Sequence, residues 1–279
     1  MLILGVRAHD FGTTSIPELA GRIGAKGIPS IQLALAKAIA GIKPEPGHLS
    51  PGLAHYCRQC FAAHNIQIAV LGCYINPIHP DPVERRRSLE RFKEHLRYAR
   101  AFGCSIVGTE TGSLHADCSY HPDNESEAAF RTLVESVAQL VAEAERFGTF
   151  VGIEGVTTHT ITTPAKMKQL LTAIPSGNLQ VIFDPVNLLS PANYQEQDRI
   201  IGESFDLFGD KIVAIHSKDF VVEDGRLKLV PVGQGMLHHE LLLKTVKNAK
   251  PYINFLLEGA NPATVDTSLA FLERLYQQV

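Results

Sequence analysis

Short apolar runs recur along the chain and alternate with longer stretches whose apolar residues fall three and four apart. Runs of the first kind, bounded by Gly, Pro or polar residues, read as buried strands, and stretches of the second kind as amphipathic helices. Leu2 to Val6 is the first such strand and delivers Arg7, His9 and Asp10 into a loop. Ser15-Ile-Pro-Glu18 then predicts a helix opened by a capping box, closed by Gly24 to Gly27. Ile28 to Leu35 follows as a strand, Pro44 to Pro51 as a Pro/Gly-rich loop, and Ser50-Pro51 starts a helix that runs to about His64. The third strand, Ile66 to Cys73, leads into the loop Tyr74-Ile-Asn76-Pro-Ile-His79-Pro and a helix from Asp81 to Ala101. Ser105 to Glu110 is the fourth, followed by a polar loop to Asn124 and a helix from Ser126 to Phe147.

Four more units complete the pattern. A strand to Glu154 precedes a helix from Pro164 to Ile174, and a strand to Asp184 precedes one from about Glu196 to Phe208. A strand to His216 is followed by a helix from about His239 to Ala249, and a strand to Glu258 by one from about Thr264 to Tyr276. Eight alternating units with no linker between them predict an α/β fold, a closed parallel (β/α)8 barrel filling residues 1–279 as one domain. In such barrels the strands' C-terminal ends carry the chemistry.

Four of those ends share one feature. In FVGIE, LQVIFD, IVAIH and INFLLE the last residue is Glu154, Asp184, His216 or Glu258, and the residue before it is Ile153, Phe183, Ile215 or Leu257. Neighbouring side chains on a strand point to opposite faces, so the apolar residue packs outward and the polar one presents itself at the barrel mouth. Three carboxylates and an imidazole brought together without a cation would repel one another and lose hydration at a cost of several kcal/mol per ion. A bound divalent metal is the economical reading.

The net charge of −3 over 279 residues argues against a nucleic-acid partner and for a small ligand. No apolar run approaches a membrane span, and the N-terminal strand is too short and too soon followed by charge for a signal peptide, so a cytoplasmic location is expected. Five scattered cysteines make no disulfide framework, and Cys57 and Cys60, a lone CxxC, read as two small residues one helical turn apart. Glu84-Arg-Arg-Arg87 is interleaved with Leu89, Phe92 and Leu96 and reads as a solvated helix face.

Glu154 in GIEG, Asp184 in FDPVN, His216 in HSKD, the Pro231-Val-Gly-Gln-Gly235 turn and Glu258 in LLEG together resemble the xylose isomerase-like TIM barrels, in particular their sugar phosphate isomerase/epimerase branch. The resemblance covers nearly the whole chain. It implies one divalent ion (Mn²⁺, Mg²⁺, Co²⁺ or Zn²⁺) held by Glu154, Asp184, His216 and Glu258, with Glu154 and Glu258 also moving the proton in isomerisation or epimerisation of a sugar or sugar phosphate. The ketose 3-epimerases of that branch carry a histidine where this chain has Asn187 and an acid where it has Thr158.

Around that set, Asn76, His79, Glu110, Asn187 and Lys218 are candidate substrate contacts. Asn76 and His79 could equally hold their own loop, Glu110 a backbone group, and Lys218 could pair with Asp219. Asp219 itself is expected to support the ligands or the local backbone rather than bind the metal. Arg7 and His9 leave the first strand on the mouth side, where buried ion pairing is as good an account as substrate contact. Gly233-Gln-Gly235 could cradle a phosphate or form an ordinary turn. Alternatives to the isomerase are an inosose dehydratase-like lyase, an endonuclease IV-like DNA repair enzyme, a two-carboxylate glycosidase and a catalytically silent sugar-binding barrel. A homo-oligomer is compatible with all of them.

Overall fold

The computed structural model describes residues 2–43 and 45–279, so Pro44, at the head of the expected 44–51 loop, lies outside it. In chain order the elements are β1 (Ile3–Arg7), α1 (Ile16–Gly24), β2 (Ser30–Leu33), α2 (Leu35–Ala38), α3 (Pro51–Ala62), β3 (Gln67–Gly72), α4 (Pro82–Tyr98), β4 (Ile106–Glu110), α5 (Glu127–Phe147), β5 (Phe150–Glu154), α6 (Pro164–Ala173), β6 (Leu179–Phe183), α7 (Gln197–Phe208), β7 (Ile212–Ser217), β8 (Asp219–Glu223), β9 (Arg226–Val230), α8 (His239–Ala249), β10 (Asn254–Leu257) and α9 (Val265–Gln278). Eight parallel strands close in the order β1-β10-β7-β6-β5-β4-β3-β2, the arrangement of a (β/α)8 barrel.

Local chemistry starts the helices where the sequence predicts. Ser50, Ser126 and Thr163 accept hydrogen bonds from the backbone N–H three residues on, and Pro51, Pro82 and Pro164 occupy first-turn positions that need no N–H. At α1 only half of the capping box forms. Ser15 accepts from the Glu18 N–H, but the Glu18 carboxylate turns to the Thr14 hydroxyl and to Arg22 (2.6 Å). Gly148 ends α5 in the left-handed conformation at φ 63°.

Two departures concern the loops. The strand expected over Ile28 to Leu35 is only Ser30–Leu33, because the chain turns into α2 at Leu35. The stretch between β7 and α8, to which the sequence assigns no strand, holds an antiparallel hairpin, β8 against β9. Its turn is Asp224-Gly225, with φ of 50° and 70°, the pairing that a two-residue hairpin turn requires.

Alternation along the strands divides the interior into layers. Ile153, Phe183, Ile215 and Leu257 belong to the apolar layer between barrel and helices. Inside the barrel, Ala69, Val70, Ile182, Ala214 and Leu256 form a separate apolar plug. Gly108 and Gly152 make room for it: a Cβ at either would lie 2.7 or 2.9 Å from Ile182 Cδ1. Above the plug the inward positions turn polar, which places charged groups on a dry floor.

Candidate metal centre

Glu154 ends β5, Asp184 follows β6, His216 lies in β7 and Glu258 follows β10. One ligand atom from each lies within 4.8 Å of the others, and all four residues are buried or nearly so. His216 Nδ1 is 3.0 Å from Glu258 Oε1 and 3.3 Å from Glu154 Oε2. Glu154 Oε2, Asp184 Oδ2 and His216 Nδ1 are buried and lack a partner in hydrogen-bond geometry. They have charged neighbours at ion-pair distance but no hydrogen bond, and buried polar atoms gathered in that way are costly unless something further satisfies them. One imidazole nitrogen with three carboxylates suits Mn²⁺, Mg²⁺, Co²⁺ or Zn²⁺, so the residues fit such an ion.

The surroundings fix each ligand's orientation. Asp184 Oδ1 accepts from the N–H groups of Val186 (2.9 Å) and Asn187 (3.2 Å), leaving Oδ2 for the cluster. Asn187 Nδ2 donates to Glu154 Oε1 at 2.5 Å. Across the barrel, Gln32 on β2 donates through Nε2 to the Tyr74 hydroxyl (2.7 Å), which turns its Oε1 toward His216 Nε2 at 2.8 Å. His216 Nε2 therefore carries hydrogen, and Nδ1 is the nitrogen left to bind a cation.

Lys218 shares the inward face with His216, and its ammonium sits among the acids. Nζ is 2.9 Å from Asp184 Oδ2 and 2.8 Å from Glu258 Oε2, and it donates to Asn187 Oδ1 at 2.7 Å. It does not pair with Asp219, as one reading of the sequence had it. Arg7 Nη1 reaches Glu258 Oε2 (2.9 Å), while its other nitrogens hold Asp10. Arg7 is thus taken up by ion pairs, the account the sequence offered beside substrate contact, although its side chain is only half-buried.

These charges set the protonation of the cluster. Burial opposes charge on His216, but Glu154 and Glu258 outweigh it and push its pKa up to about 10. Burial raises Asp184 to about 6, against the pull of Lys218. Glu258 goes the other way: burial would raise it, but His216, Lys218 and Arg7 hold it well below the usual range. Tyr74 stays a neutral phenol, raised by burial and then by the glutamates around it.

Other predicted residues are placed elsewhere. Glu110 is in register with Glu154 on the neighbouring strand, and burial raises its pKa. Its Oε2 is 3.7 Å from His159 Nδ1, a buried nitrogen without a hydrogen bond. Asn76 spends its amide on loop backbone, donating to the carbonyls of Ser113 and His115 and accepting from the N–H groups of Ser113 and Ile78. His79 accepts from the Asp81 N–H at the start of α4. Asp219 Oδ2 accepts from the N–H groups of Gly233 (2.9 Å) and Gly235 (3.0 Å), and Oδ1 from those of Phe220 and Leu237. The turn's donors, which the sequence offered to a phosphate, are therefore taken by the chain's own acid.

Gln32 and Tyr74 were missed by sequence reasoning. Gln32 left one trace, a lone amide between Ile31 and Leu33 in a strand that otherwise packs outward.

Fold and site together define a (β/α)8 barrel with a candidate divalent-cation centre at its mouth. The chain belongs to the xylose isomerase-like TIM barrel family, whose profile matches residues 22–275. No curated protein sequence matches it. Similar solved structures include a D-tagatose 3-epimerase-like protein, at 18% identity and TM-score 0.77 over 100% of this chain and 98% of that one. Another is D-psicose 3-epimerase from Clostridium cellulolyticum with D-tagatose, at 12% identity and TM-score 0.73 over 99% of both chains. A third is a probable 3-DHS dehydratase from Bacillus anthracis, at 13% identity and TM-score 0.73 over 98% of this chain and 99% of that one. At such identities the likeness is one of fold. Among the described residues no helix is long and apolar enough to cross a membrane.

Proposed function

We propose that the chain is a metal-dependent sugar isomerase or epimerase that moves a proton at the carbon beside a carbonyl, through an enediolate. The observation that carries this reading is the convergence of Glu154 Oε2, Asp184 Oδ2 and His216 Nδ1, three buried atoms without hydrogen bonds, beside Glu258. Glu154, Asp184, His216 and Glu258 would hold a divalent ion there, which would supply Lewis acidity where negative charge develops on substrate oxygen. Glu154 and Glu258, from β5 and β10, are the proton-moving pair, one taking the proton and the other returning it. Lys218 and Arg7 supply fixed positive charge where oxygen becomes negative. The apolar plug under the cluster closes the site from below. A DNA substrate is disfavoured by the net charge of −3. A neutral sugar is preferred to a sugar phosphate because the glycine turn is already filled by Asp219.

A ketose panel assayed in D₂O with added Mn²⁺ tests the proposal. Solvent deuterium is expected at the carbon that changes, and Glu154→Gln or Glu258→Gln should lose about 10²-fold or more in turnover. Full retention of substrate hydrogen at an inverted carbon would rule out proton transfer.

A second reading is favoured by Glu110. Its carboxyl, raised by burial and aligned with Glu154, is suited to hand a proton to a departing hydroxyl, as dehydration of a β-hydroxy ketone requires. Appearance of an enone chromophore instead of an isomeric sugar would select it.

A further inference from the structure

A cavity of about 260 Å³ lies outside the barrel mouth, between the segment that follows β2 and helix α4. None of Glu154, Asp184, His216 and Glu258 lines it. Its walls are apolar at Ala34, Leu35, Ile42 and Leu49, with Lys37, Lys43 and His48 also lining it, and two groups that the proposed sugar chemistry does not use, Cys73 and His95, share its wall. Cys73 follows Gly72 of β3 and belongs to the layer between barrel and helices, so its thiol meets α4 instead of the metal ligands. Glu94 holds the cavity's outer wall by accepting the N–H groups of Gly47 (2.9 Å) and Leu49 (3.1 Å).

Cys73 and His95 have the parts of an activated nucleophile. His95 Nδ1 is 2.9 Å from the Arg91 carbonyl, one helical turn back. A carbonyl only accepts, so Nδ1 carries the hydrogen and Nε2 is left as the acceptor for the thiol hydrogen-bonded to it. The Arg91 side chain also reaches the thiol and donates to the Tyr74 carbonyl at 2.6 Å, adding positive charge beside the sulfur. Burial would raise the thiol, but His95 and Arg91 outweigh it and lower it. Cys57 and Cys104, equally buried but without such partners, are pushed up to about 12 and about 11.

We propose that Cys73, paired with His95 on the wall of this cavity, is a second reactive centre that takes small hydroperoxides. The thiol proton passes to His95 Nε2, and the thiolate attacks one peroxide oxygen. An S–O bond forms as the O–O bond breaks, the sulfur is oxidised to sulfenic acid, and the departing hydroxide or alkoxide takes the proton back from His95 as water or alcohol. Sulfur loses two electrons and the peroxide gains them. The cavity has room for a small oxidant, and the sulfenic acid formed on its wall is what a trapping reagent reads.

The intact protein is treated with sub-stoichiometric hydrogen peroxide in the presence of dimedone, and each of the five cysteines is mapped by peptide mass. Cys73 is expected to carry the adduct ahead of Cys57, Cys60, Cys104 and Cys118, and His95→Gln to slow its labelling about tenfold or more. Labelling of Cys60 or Cys118 ahead of Cys73 overturns the proposal, as does an unchanged rate in a folded His95→Gln variant. Should that variant fail to fold by circular dichroism, the order of labelling within the wild-type chain decides alone.

Discussion

Gln32 and His216, 184 residues apart, meet across the barrel with Oε1 and Nε2 separated by 2.8 Å. That bond fixes which nitrogen of the imidazole faces the carboxylates. Gln32→Leu leaves the Nε2–H buried without an acceptor, at about 1–3 kcal/mol, and should weaken metal binding roughly 10 to 100-fold. Tyr74→Phe, which touches His216 only through Gln32, should be milder. Thermal melts and metal titrations of both variants measure the two effects.

The four ligand atoms lie within 4.8 Å of one another, so one divalent ion per chain is expected after reconstitution. Asp184→Ala and His216→Ala should abolish stoichiometric binding, whereas Asp219→Asn, which alters a backbone turn and the contact with His239 but none of the four ligands, should keep it. Elemental analysis after gel filtration distinguishes the cases.

With its pKa raised from 6.5 to about 10, protonated His216 contributes stability to the metal-free chain that is complete below pH 6.5 and lost as pH rises through about 10. Chelator-treated protein should therefore melt at progressively lower temperature from pH 7 to pH 10. Uptake of a divalent ion at pH 7 should release a proton from this imidazole. Calorimetry in buffers of different ionisation enthalpy counts that proton, and no buffer dependence would contradict the assignment.

Lys218 holds Asp184 and Glu258 at 2.9 and 2.8 Å, two of the carboxylates that would also hold a metal. Lys218→Met removes a competing positive charge, so Mn²⁺ affinity should rise, by about tenfold or more. The metal-free chain should become less stable and turnover should fall. A metal titration showing unchanged or weaker binding would place Lys218 outside the competition.

Gly152→Ala puts a Cβ 2.9 Å from Ile182 Cδ1 and 3.0 Å from Ile106 Cγ2 in the barrel interior. Overpacking there should cost about 1–3 kcal/mol, read from denaturant midpoints. Adding Ile182→Val, which removes the clashing methyl, should return part of it.

The sequence by itself determined the eight units, because each strand is a run that must be buried and each helix carries its own capping and periodicity. It also determined the candidate ligands: alternation forces Glu154, Asp184, His216 and Glu258 to the face opposite Ile153, Phe183, Ile215 and Leu257, whatever their neighbours. The hairpin β8 to β9 carries its own local signal, Asp224-Gly225 between two apolar runs, which the count of eight strand-helix units does not use. What only the tertiary structure decided is which groups satisfy one another. Asp219 was free to take a lysine, a metal or a backbone turn, and the folded chain gave it the turn; Lys218 went to Asp184 and Glu258, and Gln32 to His216. Burial and parity are properties of a single strand and can be read along the chain. Partnership between buried charges depends on distances across a closed barrel, and those exist only once β1 has met β2 and β10.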